Sequence, residues 1–360
     1  MSCYALPVRA LVCDGPEQAV LREVATPEPG PGEVLVRVTS ALTCATDFKL
    51  LKRGHPKIPF PLTLGHEFAG VVERTGASAG FQPGERVTSS VSAPCGACEA
   101  CRAGRENLCM TAFDRPLFGA FADFLLVPER IVKNGVRRIP PGLSDEAAAL
   151  LDPLASVVHG LKRAGTAADG GDVLIVGTGP IAAMLFFLLR GKEGTSGAER
   201  RIVVAGRREE RLEYFLERGA SAARIEESRR GTGDGAPPVP LFTFKENLRS
   251  FSLVIDTTGD AGVISSLSDL TANGGTVLLF AGLPSGARVS FDAHALHYRE
   301  VSVVGSFHYT PRDADSALAL LSRGAIPAAE IVSARCPLDD WRAAFDLAQA
   351  SGAMKVSLFP

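Results

Sequence analysis

Four cysteines close together place the tightest limit on how this chain folds. They form a C-x2-C-x2-C-x7-C run: Cys95, Cys98, Cys101 and Cys109. Three thiols at a spacing of three and a fourth eight residues later can wrap one zinc ion, and four thiolates complete its tetrahedral shell. The run therefore predicts a structural zinc lobe. A nucleic-acid zinc finger is the alternative, and the acidic residues interspersed with the basic ones around the run disfavour it.

A second set of metal-ligand residues stands upstream of the cysteine run. Cys44-Ala45-Thr46-Asp47 is followed by Gly65-His66-Glu67. One thiolate, one imidazole and one carboxylate leave a coordination position that a reactant oxygen can take. A His-Glu dipeptide is a weak signal alone, and its combination with Cys44 and the cysteine lobe is what favours a catalytic zinc. We thus expect two Zn²⁺ ions per chain.

Length and charge narrow the class of protein. The chain has 360 residues with 46% hydrophobic content, enough for two domains with separate cores. Its net charge of −2 argues against nucleic-acid binding and favours small-molecule partners. No apolar stretch is long enough for a bilayer, and the first ten residues do not resemble a signal peptide. Five of the 8 cysteines fall in the metal-type sets, which suits a reducing compartment, so we expect a cytoplasmic protein.

The predicted secondary structure changes in character at about residue 150. Before it, short apolar runs such as 33–38 and 70–73 are separated by Gly and Pro, which predicts a β-rich domain. After it, a helix capped by Ser144 leads into alternating strands and helices, which indicates a doubly wound parallel sheet. The candidate strands are 173–176, 202–205, 253–256, 277–281 and 301–305. We expect a surface loop at 227–240, helices at 314–322 and 340–350, and a final strand at 356–358.

A glycine-rich turn follows the first of these strands. Gly177, Gly179, Pro180 and Ile181 belong to a G-x-G-x-x-A pattern between the strand at 173–176 and an apolar helix. The glycines permit a tight turn and close approach of a pyrophosphate, and the helix N-terminus offers free N–H groups. The strand–turn–helix context favours dinucleotide binding over a purely structural glycine turn.

The second strand indicates which dinucleotide binds. It ends in Gly206, Arg207 and Arg208, without the carboxylate that holds the ribose 2′-hydroxyl of NAD. Guanidinium groups bind a 2′-phosphate through charge-assisted hydrogen bonds, so NADP is favoured over NAD. The alternative is that these arginines and Arg211 form a solvated helix face with Glu209 and Glu210.

The order of these motifs resembles the zinc-dependent medium-chain dehydrogenase/reductase family, and within it the sorbitol- and threonine-dehydrogenase-like members. The resemblance covers nearly the whole chain. It implies a GroES-like β-rich catalytic domain at 1–155, a Rossmann cofactor domain at 156–296, and a last Rossmann strand with a C-terminal return at 297–360. It also implies a homodimer or a homotetramer.

The resemblance further implies roles for residues around the catalytic metal. Cys44 and His66 match zinc ligands, and Glu67 matches a carboxylate that enters or leaves the zinc shell. Asp152 stands where such members usually carry Glu, so it is expected to reach zinc directly or through water. Thr46 matches the hydroxyl that relays the substrate proton, and Asp47 matches the carboxylate that orients the ligating histidine.

Cofactor and substrate contacts are implied in the same way. The positions matching the adenosine and nicotinamide lining are Thr257, Thr258, Gly282, Leu283, Ser306 and Phe307. Arg299 and Glu300 look like a pair that meets a polyol hydroxyl, and a plain surface ion pair is the alternative.

The function expected from these features is reversible hydride transfer between NADP(H) and a secondary alcohol or ketone, with zinc stabilising the alkoxide. A polyol, sugar or cyclitol is the favoured substrate. A hydroxy-amino acid or a simple secondary alcohol remains open. A non-catalytic NADP sensor on the same fold is the alternative of a different class.

Overall fold

A computed structural model describes residues 8–55, 58–190, 200–227, 240–244, 250–350 and 353–360. The strands are β1 Val8–Cys13, β2 Ala19–Val24, β3 Val34–Leu42, β4 Leu62–Thr63, β5 Glu67–Thr75, β6 Arg86–Ser89, β7 Phe124–Val127, β8 Val136–Arg138, β9 Val173–Val176, β10 Ile202–Gly206, β11 Ser221–Glu227, β12 Pro240–Phe244, β13 Phe251–Asp256, β14 Thr271–Leu279, β15 Ser302–Gly305, β16 Val332–Pro337 and β17 Lys355–Phe359.

Helices connect these strands. The α-helices are α1 Ala45–Arg53, α2 Glu99–Arg102, α3 Glu129–Asn134, α4 Asp145–Ala149, α5 Leu151–Ala164, α6 Pro180–Arg190, α7 Glu209–Leu216, α8 Ala261–Ser265, α9 Ala293–Tyr298, α10 Pro311–Ser322, α11 Ala328–Ile331 and α12 Trp341–Gln349. Short 3₁₀ helices lie at Glu106–Leu108, Gly165–Ala168, Leu267–Leu270 and Leu338–Asp340. Over the described ranges, none of the helices combines the length and the apolar character needed to cross a bilayer.

The chain folds into two compact units. Unit 1 comprises Met1–Ala155 and Tyr309–Pro360, and unit 2 comprises Ser156–His308. β15 pairs with β14 in the sheet of unit 2, and unit 1 resumes after it, at Tyr309.

Unit 1 is built from antiparallel strand pairs, except that β16 and β17 pair in parallel. Its larger sheet has the order β16-β17-β3-β5-β6-β8, with β7 also paired to β3, and its smaller sheet has the order β2-β1-β4. Along β3, the alternate residues Val34, Val36 and Val38 enter one core cluster with Phe68 and Phe121, because successive side chains of a strand point to opposite faces. The order places β3 between β5 and β17.

The described strands of unit 2 form one sheet of order β12-β11-β10-β9-β13-β14-β15. All neighbouring strands are parallel except β11 and β12, which pair antiparallel. The four residues of β9 are fully buried, as expected for a central parallel strand covered on both faces. The chain runs outward from β9 to β11 and later returns on the other side of β9. This reversal creates a switch point at the carboxyl ends of β9 and β13, where open α/β sheets bind ligands.

The sequence does not predict β11 or β12. Residues 228–239, the interior of the loop expected at 227–240, lie outside the described residues; the ends of that range, Glu227 and Pro240, belong to β11 and β12. The antiparallel β12 adds an edge strand to the expected parallel sheet.

Helix α12 offers a test of packing in unit 1. Phe345 is 3% exposed and contacts the rings of Phe48, Phe121 and Trp341. We expect Phe345→Ala to lower the free energy of unfolding by about 3–5 kcal/mol, because it removes a large buried side chain and leaves a cavity. Equilibrium urea unfolding followed by fluorescence of Trp341, the only tryptophan in the sequence, measures this change.

Leu347 of the same helix is the matched control. It is 37% exposed, so Leu347→Ala is expected to change the free energy of unfolding by less than about 1 kcal/mol. Equal losses from the two substitutions would contradict the packing described for α12.

Candidate functional site

Strand pairing in unit 1 brings the upstream metal-ligand residues together. Cys44 follows the end of β3, His66 precedes β5, and Glu67 is the first residue of β5. The antiparallel register places Leu42 opposite Glu67. As a result, the Cys44 thiol, a His66 ring nitrogen and a Glu67 carboxylate oxygen all lie within 4.8 Å of one another. These three groups are arranged so that they can share one metal ion.

Asp47 fixes the orientation of this group from behind. Its carboxylate is fully buried on the first turn of α1. Oδ1 accepts hydrogen bonds from the Gly65 N–H and from His66 Nδ1, each at 3.2 Å, and Oδ2 accepts from the Cys44 N–H at 3.1 Å. Because a carboxylate can only accept, Nδ1 carries a proton, and in the neutral imidazole Nε2 is the nitrogen that can offer its lone pair to a metal. Asp47 therefore has the placement expected of an orienting carboxylate.

Gly65 lets the chain pass between Asp47 and the core. Its φ of 89° lies in the left-handed region. A Cβ at this position would lie 2.6 Å from the Phe121 nitrogen. A larger residue cannot fit without moving the backbone that carries His66.

A lysine that the sequence does not suggest completes the site. Lys355, the first residue of β17, is 3% exposed, and its Nζ donates to Oε2 of Glu67, which is 1% exposed. Nζ also donates to the Thr43 carbonyl oxygen at 3.0 Å. Burial disfavours the ammonium, but the negative charges of Glu67, Cys44 and Asp47 outweigh it and raise the pKa of Lys355.

Burial and neighbouring charges shift the pKa values of Glu67 and His66. Burial raises the pKa of Glu67, although Lys355 and His66 act in the opposite direction. For His66, burial disfavours the imidazolium, but the charges of Asp47 and Cys44 raise its pKa well above its usual range. The pocket thus strongly favours a positive charge close to these groups.

Asp152 lies outside the three-residue cluster. It is the second residue of α5, and its Oδ1 accepts from the Val91 N–H at 3.0 Å and from the hydroxyl of the buried Tyr309. Its charge still acts on Glu67. Direct ligation by Asp152 is not supported by this placement, because its side chain is one methylene shorter than Glu and its Oδ1 is held by two donors.

Thr46 is exposed on the first turn of α1, two residues after Cys44. This position presents a hydroxyl close in sequence to the metal ligands. The placement suits the role of proton relay that the family resemblance implies.

The four cysteines of the lobe converge as their spacing predicts. Their sulfur atoms all lie within 4.8 Å of one another, with Cys98 to Cys101 at 3.5 Å and Cys95 to Cys101 at 3.9 Å. These separations are far longer than a disulfide bond of about 2.05 Å. Four sulfurs placed tetrahedrally at about 2.3 Å from zinc are separated by about 3.8 Å. The lobe therefore fits a four-thiolate zinc site.

Backbone N–H groups in the lobe stabilise the thiolate form of Cys95. The N–H groups of Ala97 and Cys98 donate to the Cys95 sulfur and lower the pKa of that thiol to about 6. Burial raises the pKa of Cys101 to about 12. A metal ion would supply the positive charge that the buried Cys101 thiolate needs.

In unit 2, the glycine-rich turn leaves β9 at the switch point. Gly177 has a φ of 117°, and a Cβ there would lie 2.1 Å from the Thr257 hydroxyl. Gly179, immediately before α6, would have no atom within 4 Å of an added Cβ. At Gly177 the turn thus packs tightly against the residues that follow β13. At Gly179 it leaves space for a ligand, next to Pro180 and Ile181 at the N-terminus of α6. An open N-terminus of this kind suits a pyrophosphate.

Asp256, which sequence reasoning missed, shapes the next turn. This fully buried last residue of β13 accepts from the Thr258 N–H and hydroxyl at 2.9 and 2.6 Å and from the Gly259 N–H at 3.1 Å. The Thr257 hydroxyl donates to the Val176 carbonyl oxygen at 2.8 Å. Both predicted threonines therefore build the turn beside β9, and each hydroxyl directs its proton into the protein.

The remaining predicted lining residues follow parallel strands. Gly282 and Leu283 come after β14, and Ser306 and Phe307 come after β15. The Ser306 N–H donates to the Leu279 carbonyl oxygen at 3.0 Å, and the Phe307 side chain is 58% exposed. Because all these strands are parallel, the four residues lie at the same edge of the sheet as the glycine-rich turn.

Arginines gather where β10 ends. Gly206 closes the strand, and a Cβ there would lie 2.4 Å from the Thr178 side chain. Arg207 and Arg208 follow and are exposed. Arg211 is only 7% exposed, and burial together with the charge of Arg208 lowers its pKa. The buried Arg211 contradicts the alternative of a solvated helix face at that position.

Arg299 is held within unit 2. Its Nε donates to the Asn273 side-chain oxygen at 3.1 Å, and its other nitrogens donate to the carbonyl oxygens of Ser268 and Thr271. Glu300 has a φ of 51° just before β15. These contacts give Arg299 a structural role and do not support either a polyol contact or an ion pair with Glu300.

Family comparison covers both units. Residues 30–137 match the family described as alcohol dehydrogenase GroES-like domain, and residues 194–323 match the family described as zinc-binding dehydrogenase. A D-altritol 5-dehydrogenase of Agrobacterium fabrum is 32% identical over 329 residues, which cover 90% of each chain. An L-threonine 3-dehydrogenase of Rhizobium johnstonii is 28% identical and covers 97% of each chain.

Solved structures show the same fold. A protein of Sinorhizobium meliloti described as a zinc-binding dehydrogenase, solved bound to NADP, has 31% identity and a TM-score of 0.80, with 98% of this chain and 99% of that chain covered. An alcohol dehydrogenase of a Thermus species has 27% identity and a TM-score of 0.80 over the same shares. These matches confirm the fold class expected from the sequence.

Zinc content tests the two metal clusters. We expect the purified protein to contain two zinc ions, and Cys101→Ser and Cys44→Ser each to contain one, by atomic emission analysis. Cys101→Ser should also lower the free energy of unfolding, because binding free energy at a structural zinc is folding free energy.

Cys336→Ser is the matched control, since Cys336 lies outside both clusters. It should retain two zinc ions. Two ions in Cys44→Ser, or a fully stable Cys101→Ser with one ion, would contradict the assignments.

Proposed function

Because the chain belongs to the zinc-dependent medium-chain dehydrogenase/reductase family, we propose that it is a zinc-dependent, NADP-preferring dehydrogenase that interconverts a secondary alcohol and a ketone. The convergence of Cys44, His66 and Glu67, with Asp47 holding the imidazole, carries this proposal. These residues form a three-donor set with the chemistry of an open zinc site. The strand–turn–helix motif of unit 2 accounts for the redox cofactor.

Each side chain has a defined task in this reaction. Zinc at this site would supply a Lewis acid that polarises the substrate oxygen. By accepting from His66 Nδ1, Asp47 fixes the proton of the neutral imidazole on that nitrogen, so that Nε2 would offer its lone pair to the metal. Thr46 would carry the substrate proton outward through its exposed hydroxyl. The nicotinamide would exchange the hydride, and the protein contributes orientation and exclusion of water.

The preference for NADP is supported by charge at the end of β10. Arg207 and Arg208 are exposed beside Gly206, and Arg211 lies buried next to them. A 2′-phosphate carries negative charge that guanidinium groups bind strongly. The related Sinorhizobium meliloti protein was solved with NADP.

For the substrate, we propose a polyhydroxylated compound such as a polyol, sugar or cyclitol. The similarity to a D-altritol 5-dehydrogenase, at 32% identity, supports a polyol. A hydroxy-amino acid is the second candidate, because L-threonine 3-dehydrogenases align over 97% of the chain.

Turnover assays test this proposal directly. Polyols, sugars, cyclitols, threonine and simple secondary alcohols are offered with NADP or NAD while reduced nicotinamide is followed by absorbance. We expect polyols with NADP to give the highest kcat/KM. Threonine as the best substrate would shift the assignment to the second candidate. Binding of NADP without turnover of any substrate class would favour a non-catalytic sensor.

The most direct test of the NADP preference is removal of one exposed side chain, that of Arg207. We expect Arg207→Ala to raise the KM for NADP about tenfold and to leave the KM for NAD nearly unchanged, because a charge-assisted hydrogen bond contributes about 1.5 kcal/mol. Initial rates with each cofactor at saturating substrate give both constants.

Arg201→Ala is the control for this prediction. Arg201 pairs with Asp172 just before β10, at the opposite end of the same strand. Its loss should leave both constants unchanged. An equal rise of the two constants in Arg207→Ala would refute binding of a 2′-phosphate by Arg207.

A further inference from the structure

The buried ammonium of Lys355 has no place in the reaction outlined above. A charged side chain that is 3% exposed is costly unless it is paired. Lys355 pairs with Glu67, which is itself 1% exposed. The pair therefore links a candidate zinc ligand to the C-terminal strand of the chain.

Backbone pairing fixes the position of this ammonium. The Thr43 N–H donates to the Val356 carbonyl oxygen at 3.0 Å, and the Val356 N–H donates to the Thr43 hydroxyl at 3.1 Å. Lys355 Nζ returns a third bond to the Thr43 carbonyl at 3.0 Å. Thr43 directly precedes Cys44, so β17 anchors Lys355 to the same short segment that carries the thiolate ligand.

The ammonium and a metal ion compete for one carboxylate. Lys355 holds Oε2 of Glu67, while a carboxylate oxygen of Glu67 also lies within 4.8 Å of the Cys44 and His66 ligand atoms. While Glu67 is paired with the Lys355 ammonium, its carboxylate is a weaker ligand for the metal. If the ammonium is removed, the buried carboxylate is left with the metal as the nearest positive group in the cluster.

We infer that Lys355 is a positioning residue that restrains Glu67 from closing on the metal held by Cys44 and His66. This inference rests on the proposed function, since it requires a metal at that cluster. It assigns to the C-terminal strand the control of how firmly Glu67 binds the metal, and hence of whether a coordination position stays available to substrate.

The rate of zinc release tests this inference. Zinc-loaded protein is mixed with excess chromogenic chelator, and the phase that is absent in Cys44→Ser identifies the candidate catalytic zinc. We expect Lys355→Met to slow this phase about tenfold, because Glu67 then binds zinc without competition. Lys355→Arg, which keeps the charge, should release zinc at nearly the wild-type rate.

A double variant separates this role from a purely structural one. In Glu67→Gln/Lys355→Met the slow release should disappear, since the carboxylate is gone. The metal-free Lys355→Met protein should unfold at a lower temperature than the metal-free wild type, and zinc should remove this difference, because it neutralises the unpaired carboxylate. If Lys355→Met does not fold, Lys355→Gln, whose amide can keep the bond to Thr43, carries the same expectations.

The outcomes distinguish this inference from the proposed function. Release from Lys355→Met, or from Lys355→Gln in its place, that is as fast as wild type or faster would overturn the role of Lys355 and leave the zinc site intact. Slow release that persists in the double variant would also overturn it. Absence of any Cys44-dependent release phase in the wild type would instead overturn the proposed function.

Discussion

The antiparallel pairing of β3 with β5 is the constraint on which the candidate active site depends. It sets the end of one strand, before Cys44, beside the start of the other, at His66 and Glu67. These residues are more than twenty positions apart in the sequence, and only the strand register brings their ligand atoms within reach of one metal. Asp47 then fixes the orientation of the imidazole. Strand β17 pairs with the other edge of β3 and places the Lys355 ammonium against Glu67. A one-residue slip would direct these side chains to opposite faces.

The second unit uses parallel pairing to the same effect. Parallel strands present all their carboxyl ends at one edge of the sheet. Because the strand order reverses at β9, the turns that follow β10 and β13 lie on opposite sides of the turn that follows β9. The open Gly179 and the turn built by Asp256 lie at that edge, and Arg207 follows the neighbouring strand. Each unit thus places chemically capable groups at strand ends, where the backbone is rigid enough to hold them and exposed enough for a ligand to reach them.

Local spacing was sufficient to predict much of this protein. The cysteine lobe, the glycine-rich turn and the strongest parallel strands are visible in the sequence because their residues lie close together along the chain. Lys355 and Asp256 could not be found in that way, since a buried lysine near the C-terminus resembles any surface lysine until strand pairing is known. The contacts of Arg299 are hidden in the sequence for the same reason: folding brings the Asn273 side chain and the carbonyl oxygens of Ser268 and Thr271 close to it. For Asp152, the residue type was informative, but its partner Tyr309 was not visible in the sequence.

The most direct test of this account is anomalous diffraction at the zinc edge from crystals of the zinc-loaded protein grown with NADP. The account predicts two peaks. One lies among the four sulfurs of the lobe, and the other lies about 2.3 Å from the Cys44 sulfur and about 2.0–2.1 Å from His66 Nε2. A single peak in the lobe, or a second zinc bound to His66 through Nδ1 with Asp47 displaced, would contradict it.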